Sequence, residues 1–381
     1  MNRIFAVLCV TACGSDATPP PADAADLLAP PPDGQGFQLK MTTTIGAGVE
    51  AEHCMFQTVP DSYVKHDEVR FTKGSHHVLV FQTPYTSIPT QKTDGTPVDT
   101  SGVFDCSDGA TAGWNVTKVI GGSQNGDGES ELSFPDGIGV HVGGIVLINV
   151  HYINASDAEI QPEARINFFT VPPEQITQEG DVLFLYNPLI SVLAGQTSRA
   201  EWRCPVYSDI HIANAQSHMH ARGVGYTASI DDQAPFYTND LWQGVPVQHY
   251  DSLVVHPGQT LHYHCDYRNT ESRDIFQGPR TTDEMCMLLG SYYPIDPRTA
   301  NCLTADGTLP GGDWVGQGTA SCAQTLGCIQ TAGNDFHALT VCMQGASPAV
   351  SHTSSELLRC LFASSSPQTD CASQISACSA Q

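Results

Sequence analysis

Three separated groups of residues in this 381-residue chain carry the donor atoms of a transition-metal site: His76 and His77 in GSHHVLVF, His151 in VLINVHY, and His218 and His220 in SHMHARG with Met285 downstream in TTDEMC. Together they read as two copper sites. A thioether among imidazoles favours copper, because soft sulfur stabilises Cu(I), imidazole serves both oxidation states, and copper tops the divalent affinity order. Read singly, each group is ordinary. With 15 histidines some close pairs arise by chance, and a methionine beside Cys286 would by default fill a core. The combination carries the reading.

The elements that must position these residues are strands. His218 and His220 are two apart, so in an extended segment both imidazoles project from one face and one metal can take both. The surrounding IHIANAQSHMHARGVGY is extended in character and ends at Gly223 and Gly225, where a strand would turn. His76 and His77 are adjacent and would point to opposite faces of a regular strand. A shared metal therefore requires a bend or bulge at the start of VLVFQT, which Gly74 would permit.

The order HH, VHY, HxH and EMC with a downstream YY resembles the copper type II, ascorbate-dependent monooxygenases, the family of dopamine beta-hydroxylase and the peptidylglycine alpha-hydroxylating enzymes. The likeness spans residues 52–294 and includes HCMF at 53–56, GVHVGG before the VHY segment, CDYRNTESRD at 265–274 and SYYP at 291–294. The last two are closer to the dopamine hydroxylase branch. The resemblance implies that His76, His77 and His151 hold one copper ion, and that His218, His220 and Met285 hold the other and form the catalytic centre. It also places His211 beside the second copper and pairs Cys265 with Cys286. A copper-ligating Cys286 is the competing reading, disfavoured because neighbours in a strand project to opposite sides.

Two positions depart from the peptide-amidating branch, which binds a substrate carboxylate through an arginine two residues before HxH and a tyrosine four after the EMC methionine. Here they are Gln216 and Leu289. Neither supplies a charged fork or a phenol to an anion, so a peptidyl-glycine substrate is not expected. Three protein ligands per metal leave a coordination position open, as catalysis requires. The family's activity implies hydroxylation of an activated C–H bond of a small substrate with O2, ascorbate serving as reductant. A copper-binding surface lipoprotein without turnover is the alternative, and a structural surface protein with fortuitous histidines is a third class that the complete ligand sets oppose.

Composition sets the surroundings. The net charge of -24 disfavours nucleic acid and anionic membranes as partners, and a cationic amine substrate would suit both the charge and the family branch. No GxSxG, P-loop or GxGxxG is present. Residues 1–13 read as a signal peptide whose VTAC ends in a lipobox cysteine, Cys13, with an ordinary cleaved signal as the alternative. The expected location is exported, either lipid-anchored to a bacterial membrane or secreted. Setting aside Cys9 and Cys13 leaves 12 of 14 cysteines, an even number suited to disulfides in an oxidising compartment. Cys54 with Cys106 and Cys204 with Cys302 are plausible pairs by position.

The expected fold is mainly β. Short segments such as EVRFTKGSHHVLVF and QTLHYHCDY are rich in β-branched and aromatic residues and bounded by turn residues. The expected organisation is a Pro/Ala-rich linker over 14–36, two jelly-roll-like β-sandwich domains over 37–173 and 174–300, and a small Cys-rich helical module over 301–381. The sequence assigns that module no chemistry.

Overall fold

The computed structural model describes residues 28–126 and 132–381. The expected signal segment, with Cys9 and Cys13, lies outside the described residues. The chain is mainly β, in several largely antiparallel sheets, and ends in a helical segment. Among the described residues no helix is long and apolar enough to cross a membrane.

The first sheet has eight strands: β1 (Gly36–Thr42), β2 (Glu50–Phe71), β3 (Ser75–Gln82), β4 (Phe104–Asp105), β5 (Lys118–Ser123), β6 (Ile138–Ile153), β7 (Glu163–Val171) and β8 (Gln178–Glu179). The order is β1-β7-β2-β6-β3-β5, with β4 on β2 and β8 on β6. Leu39, Met41, Ile166 and Phe168 from one wing share a core with Val78, Val80, Ile148 and Val150 from the other. The long strand β2 carries register shifts between Val59 and Ser62 and between Val64 and His66. Such bulges bend a strand and let one sheet wrap its own core.

Period-two alternation decides what the other face of this sheet carries. Val78 and Val80 of β3 and Val146, Ile148 and Val150 of β6 enter the wrapped core. Their neighbours Leu79, Phe81, Ile145 and Leu147 therefore face the opposite way, into a second cluster with Phe56, Phe104 and Trp114. His77 and His151 continue this second face, because each differs from those residues by an even number of positions.

The remaining strands form two larger sheets and one short pair: β9 (Asp181–Tyr186), β10 (Ser191–Val192), β11 (Thr197–Pro205), β12 (Ile210–Met219), β13 (Gly223–Ile230), β14 (Tyr237–Asn239), β15 (Gln248–Val255), β16 (Thr260–Arg268), β17 (Ile275–Phe276), β18 (Cys286–Tyr293) and β19 (Asp313–Trp314). A four-stranded sheet, β15-β12-β18-β9, and a five-stranded sheet, β14-β13-β16-β11-β19, share a core that includes Leu183, Leu185, Trp202, Ile212, Tyr263, Cys265 and Leu288. Each fully buried Leu or Ile of this kind contributes about 1.5–3 kcal/mol from apolar transfer.

Helices Cys322–Ala332, Phe336–Gly345, Ser351–Ala363 and Ala372–Ser379 close the chain. The first begins with a capping box, Ser321 accepting from the Gln324 amide while Gln324 accepts from the Ser321 amide. Three disulfides staple the segment: Cys322 to Cys378, Cys328 to Cys342, and Cys360 to Cys371. Three more tie the β-rich part of the chain, Cys54 to Cys106, Cys204 to Cys302 and Cys265 to Cys286. All three pairings anticipated from sequence are present, so Cys286 is a disulfide partner.

Candidate metal centre

His77 lies directly opposite His151 in the β3–β6 register, one step beyond Leu79 opposite Asn149 and Phe81 opposite Leu147. Glu52 of β2 flanks the same row on the other side of His151. The expected bulge is present: the β3–β6 register shifts between Ser75 and His77, so His76 is the extra residue. Gly74 precedes it at φ +100, a left-handed conformation in which a Cβ would also meet the Ile160 Cδ1 at 2.3 Å. The bulge turns both adjacent histidines toward His151. Ring centroids are 5.4 Å apart for His76 and His77, 5.3 Å for His76 and His151, and 5.1 Å for His77 and His151. One donor atom from each of the three lies within 4.8 Å of the others.

The second group is built by β12 and β18. Ile212 points into the core, and a register shift between Ile212 and Asn214 reverses the parity, so that Ala215 and Met219 point inward. Gln216, His218 and, just past the strand end, His220 are thereby turned out of that core toward the first sheet. His218 and His220 have ring centroids 5.3 Å apart. On β18, Met287 sits opposite His218 and Leu289 opposite Gln216.

The two groups, expected from sequence as two copper sites, lie side by side in one histidine cluster. His76 lies 6.5 Å from His218 and 6.3 Å from His220, and His77 lies 6.0 Å from His218, centroid to centroid. The outward faces of the two sheets are pressed together. Between them lies a cavity of about 350 Å³ that His77, His218 and Met285 line in common. Its other walls are mostly apolar, with Leu79, Phe81, Phe184, Tyr186, Met287 and Leu289, and Glu52 with Asn149 as polar relief.

The hydrogen bonds fix which imidazole nitrogens are free to ligate. His151 Nε2 lies 2.9 Å from Glu50 Oε1, His220 Nδ1 3.0 Å from the Asp283 carbonyl and His218 Nδ1 2.9 Å from Gln124 Oε1. Each partner only accepts, so each of these nitrogens carries the proton and the other presents its lone pair. The His151 Nδ1 and His220 Nε2 atoms left over are buried without a hydrogen-bond partner, as are His76 Nε2 and His77 Nδ1. Four orphaned imidazole nitrogens in one cluster are what a metal would satisfy. Burial, reinforced by the other histidines, pushes His76, His151 and His220 down to about 4 and His77 and His218 well below their ordinary value. All five are neutral near pH 7, the form that binds metal. The residues therefore fit copper.

Glu50, Gln124 and Asp283 were not singled out from sequence. Glu50 and Gln124 lie outside any motif, and Asp283, within TTDEMC, takes part through its backbone carbonyl, so only folding brings each against a histidine. Glu50 also accepts from the Thr281 amide and hydroxyl at 2.8 and 3.1 Å, linking β2 to the segment before Met285. Glu284, beside Met285, accepts from the His220 and Arg222 amides, and burial pushes it up to about 7. His211 is displaced from its expected place. It stacks on Tyr293 with centroids 4.9 Å apart, seven residues from His218 along one strand, roughly 23 Å at ordinary strand rise.

A mainly β protein with a histidine cluster between two sheet faces is thus the class that fold and site define. Residues 200–306 match the family described as copper type II ascorbate-dependent monooxygenase, C-terminal domain. The family is copper- and ascorbate-dependent. No curated protein matches the chain significantly. Among solved structures, a peptide-N(4)-(N-acetyl-β-D-glucosaminyl) asparagine amidase is 11% identical over 67% of this chain and 94% of that chain. Its TM-score of 0.31 is too low to carry an argument.

Proposed function

We propose that the protein is a copper monooxygenase that hydroxylates an activated C–H bond of a small substrate, with O2 as oxidant and ascorbate as reductant. The observation that carries this reading is the cluster of neutral imidazoles with four orphaned nitrogens, which borders, through His77 and His218 and beside Met285, a mostly apolar cavity. His76, His77 and His151 would hold one copper ion, and His218, His220 and Met285 the other. Copper would supply electron transfer and oxygen activation when bound.

The chain's own residues supply the rest. Glu50, Gln124 and the Asp283 carbonyl hold three imidazoles in one tautomer and orientation. Leu79, Phe81, Phe184 and Leu289 keep the cavity poor in water and offer an apolar ring or chain a matching surface. Glu52 is buried, accepts from Asn149 Nδ2 at 3.0 Å and has its pKa raised, burial being the first cause. A cationic amine entering the cavity would find in Glu52 a carboxylate to pair with, which supports an amine as substrate. Six disulfides suit an oxidising compartment. Export, with attachment to a membrane only through a lipid on Cys13, is the location we propose.

Copper stoichiometry of the purified protein, combined with ascorbate-driven oxygen uptake across a panel of phenethylamines and apolar small molecules, tests the reading. Two coppers with substrate-dependent uptake are expected. Copper binding without uptake across the panel would favour a binding protein, and no copper would overturn the proposal.

A further inference from the structure

We propose that Glu201, His262 and His264 form a separate metal site, on the outer face of the five-stranded sheet, that takes a divalent transition ion of the zinc type. His262 and His264 are i and i+2 on β16, between Leu261, Tyr263 and Cys265, whose side chains fill the core. Alternation therefore puts both imidazoles on the outer face. Glu201 of β11 stands directly opposite His264 and beside Arg203, which stands opposite His262. One donor atom from each of Glu201, His262 and His264 lies within 4.8 Å of the others. Two imidazoles and a carboxylate are a donor set suited to zinc, leaving a fourth position for water.

The hydrogen bonds point the same way. His262 Nδ1 lies 3.1 Å from the Asp231 carbonyl and donates to it, so the lone pair is on Nε2, 2.7 Å from Glu201 Oε1. Two acceptors facing at that distance require a cation between them, either a proton or a metal ion. The second Glu201 oxygen is held by Gln317 Nε2 at 3.1 Å. That is the acceptor–histidine and donor–carboxylate arrangement that orients ligands from behind.

The charges around the site leave room for an ion. Arg199 is engaged by Asp266 through two contacts of 2.7 and 3.1 Å, and Arg203 by Asp232 at 2.8 Å. Arg203 stays 4.0 Å from Glu201 Oε1, beyond hydrogen-bond distance. With each guanidinium hydrogen-bonded to its own aspartate, the shortest charged contact of Glu201 is to His262 at 2.7 Å, with Arg203 an ion-pair neighbour at 4.0 Å and His264 Nε2 3.7 Å from Asp266 Oδ2. Side-chain exposures of 11% for Glu201, 13% for His262 and 15% for His264 let an ion enter without leaving the ligands free in solvent. The site joins β11, β16 and, through Gln317, the segment that leads into the helices. A core separates it from the imidazole cluster, so it neither depends on nor tests the copper reading.

The test counts tightly bound zinc in the metal-free full chain by equilibrium dialysis and elemental analysis. The wild type is compared with the His262→Gln/His264→Gln pair, Glu201→Gln alone and, as a copper-cluster control, His218→Gln/His220→Gln. The double variant is expected to lose one zinc equivalent that the control retains, and Glu201→Gln to weaken that equivalent about 10–100-fold. Zinc should also raise the thermal midpoint of the control variant. Near-ultraviolet circular dichroism identifies any variant that misfolds. Should the double variant misfold, the control decides alone: an equivalent whose binding perturbs the imidazole resonances of His262 and His264 supports the site. An unchanged zinc count in a folded double variant, or no such perturbation in the control, would show an ion pair only and overturn the proposal.

Discussion

His76 of the first sheet and His220 of the second lie 6.3 Å apart, centroid to centroid, almost as near as His76 lies to its chain neighbour His77 at 5.4 Å. The cluster is thus also the contact between the two sheet faces. A copper ion bound there would act on how tightly those faces close, and whatever separates the faces would dilute the donor set. Loading and closure are linked.

Glu50 is the residue in which that linkage is concentrated, since it holds His151 Nε2 at 2.9 Å and accepts from Thr281 across the contact. Glu50→Gln keeps the shape and removes the charge that raises imidazole basicity. Copper affinity is expected to fall about 10–100-fold, the scale of such supporting contacts. Competition with a calibrated chelator measures it, and an unchanged affinity would mean that His151 is oriented by packing alone.

Met285→Ala removes a thioether that lines the cavity beside His77 and His218. The backbone there is tied by the Tyr267 hydroxyl, which donates to the Met285 carbonyl at 2.7 Å, so the loop is expected to stay in place. Ascorbate-driven oxygen uptake should drop about 100-fold or more, the upper scale of metal-environment changes. The copper held by His76, His77 and His151 should remain. Activity within a few-fold of wild type would reduce Met285 to a wall of the cavity.

The clustering of the candidate histidines was legible in the sequence because a donor pair in a strand obeys a period of two, and because the one violation, His76 beside His77, carried its own remedy in Gly74. The β-rich architecture was legible for the same reason. The union of the two triads was not, since no local pattern encodes the docking of one sheet face on another. Glu50 and Gln124 escaped for that reason too. His211 misled, because a histidine seven positions before His218 lies near the other end of β12, stacked on Tyr293. His262 and His264 form an HxH pair as plain as His218 and His220, but without a methionine placed with them their segment, QTLHYHCDY, reads only as a strand.

Cys265 and Cys286 join β16 to the residue next to Met285 across a separation of 21 residues. Both sulfurs are buried in the core. Closing a loop of this length contributes about 3 kcal/mol on the chain-entropy account. The Cys265→Ala/Cys286→Ala pair should therefore lower the denaturant midpoint, and it should weaken the second copper more than the first. Equal loss at both would point to global loosening instead of a local brace.

Acid should destabilise the metal-free protein over a defined window. Burial holds His76, His151 and His220 at about 4, and His77 and His218 well below their ordinary value, whereas in the unfolded chain a histidine titrates near 6.5. Between about 6.5 and 4 the unfolded state therefore binds more protons than the folded one, and stability falls as pH falls. Glu284 acts in the opposite sense. Its folded pKa of about 7 lies above the unfolded carboxylate, so it adds stability on acidification through that value. Glu52 and Asp181, also raised by burial, act in the same sense as Glu284, and five imidazoles against these three carboxyls still give a net loss. The urea midpoint of the metal-free protein should thus decline from pH 6.5 to pH 4, and His218→Gln/His220→Gln should flatten the decline. A midpoint that rises over this range would mean that the imidazoles are solvated and the two sheet faces apart.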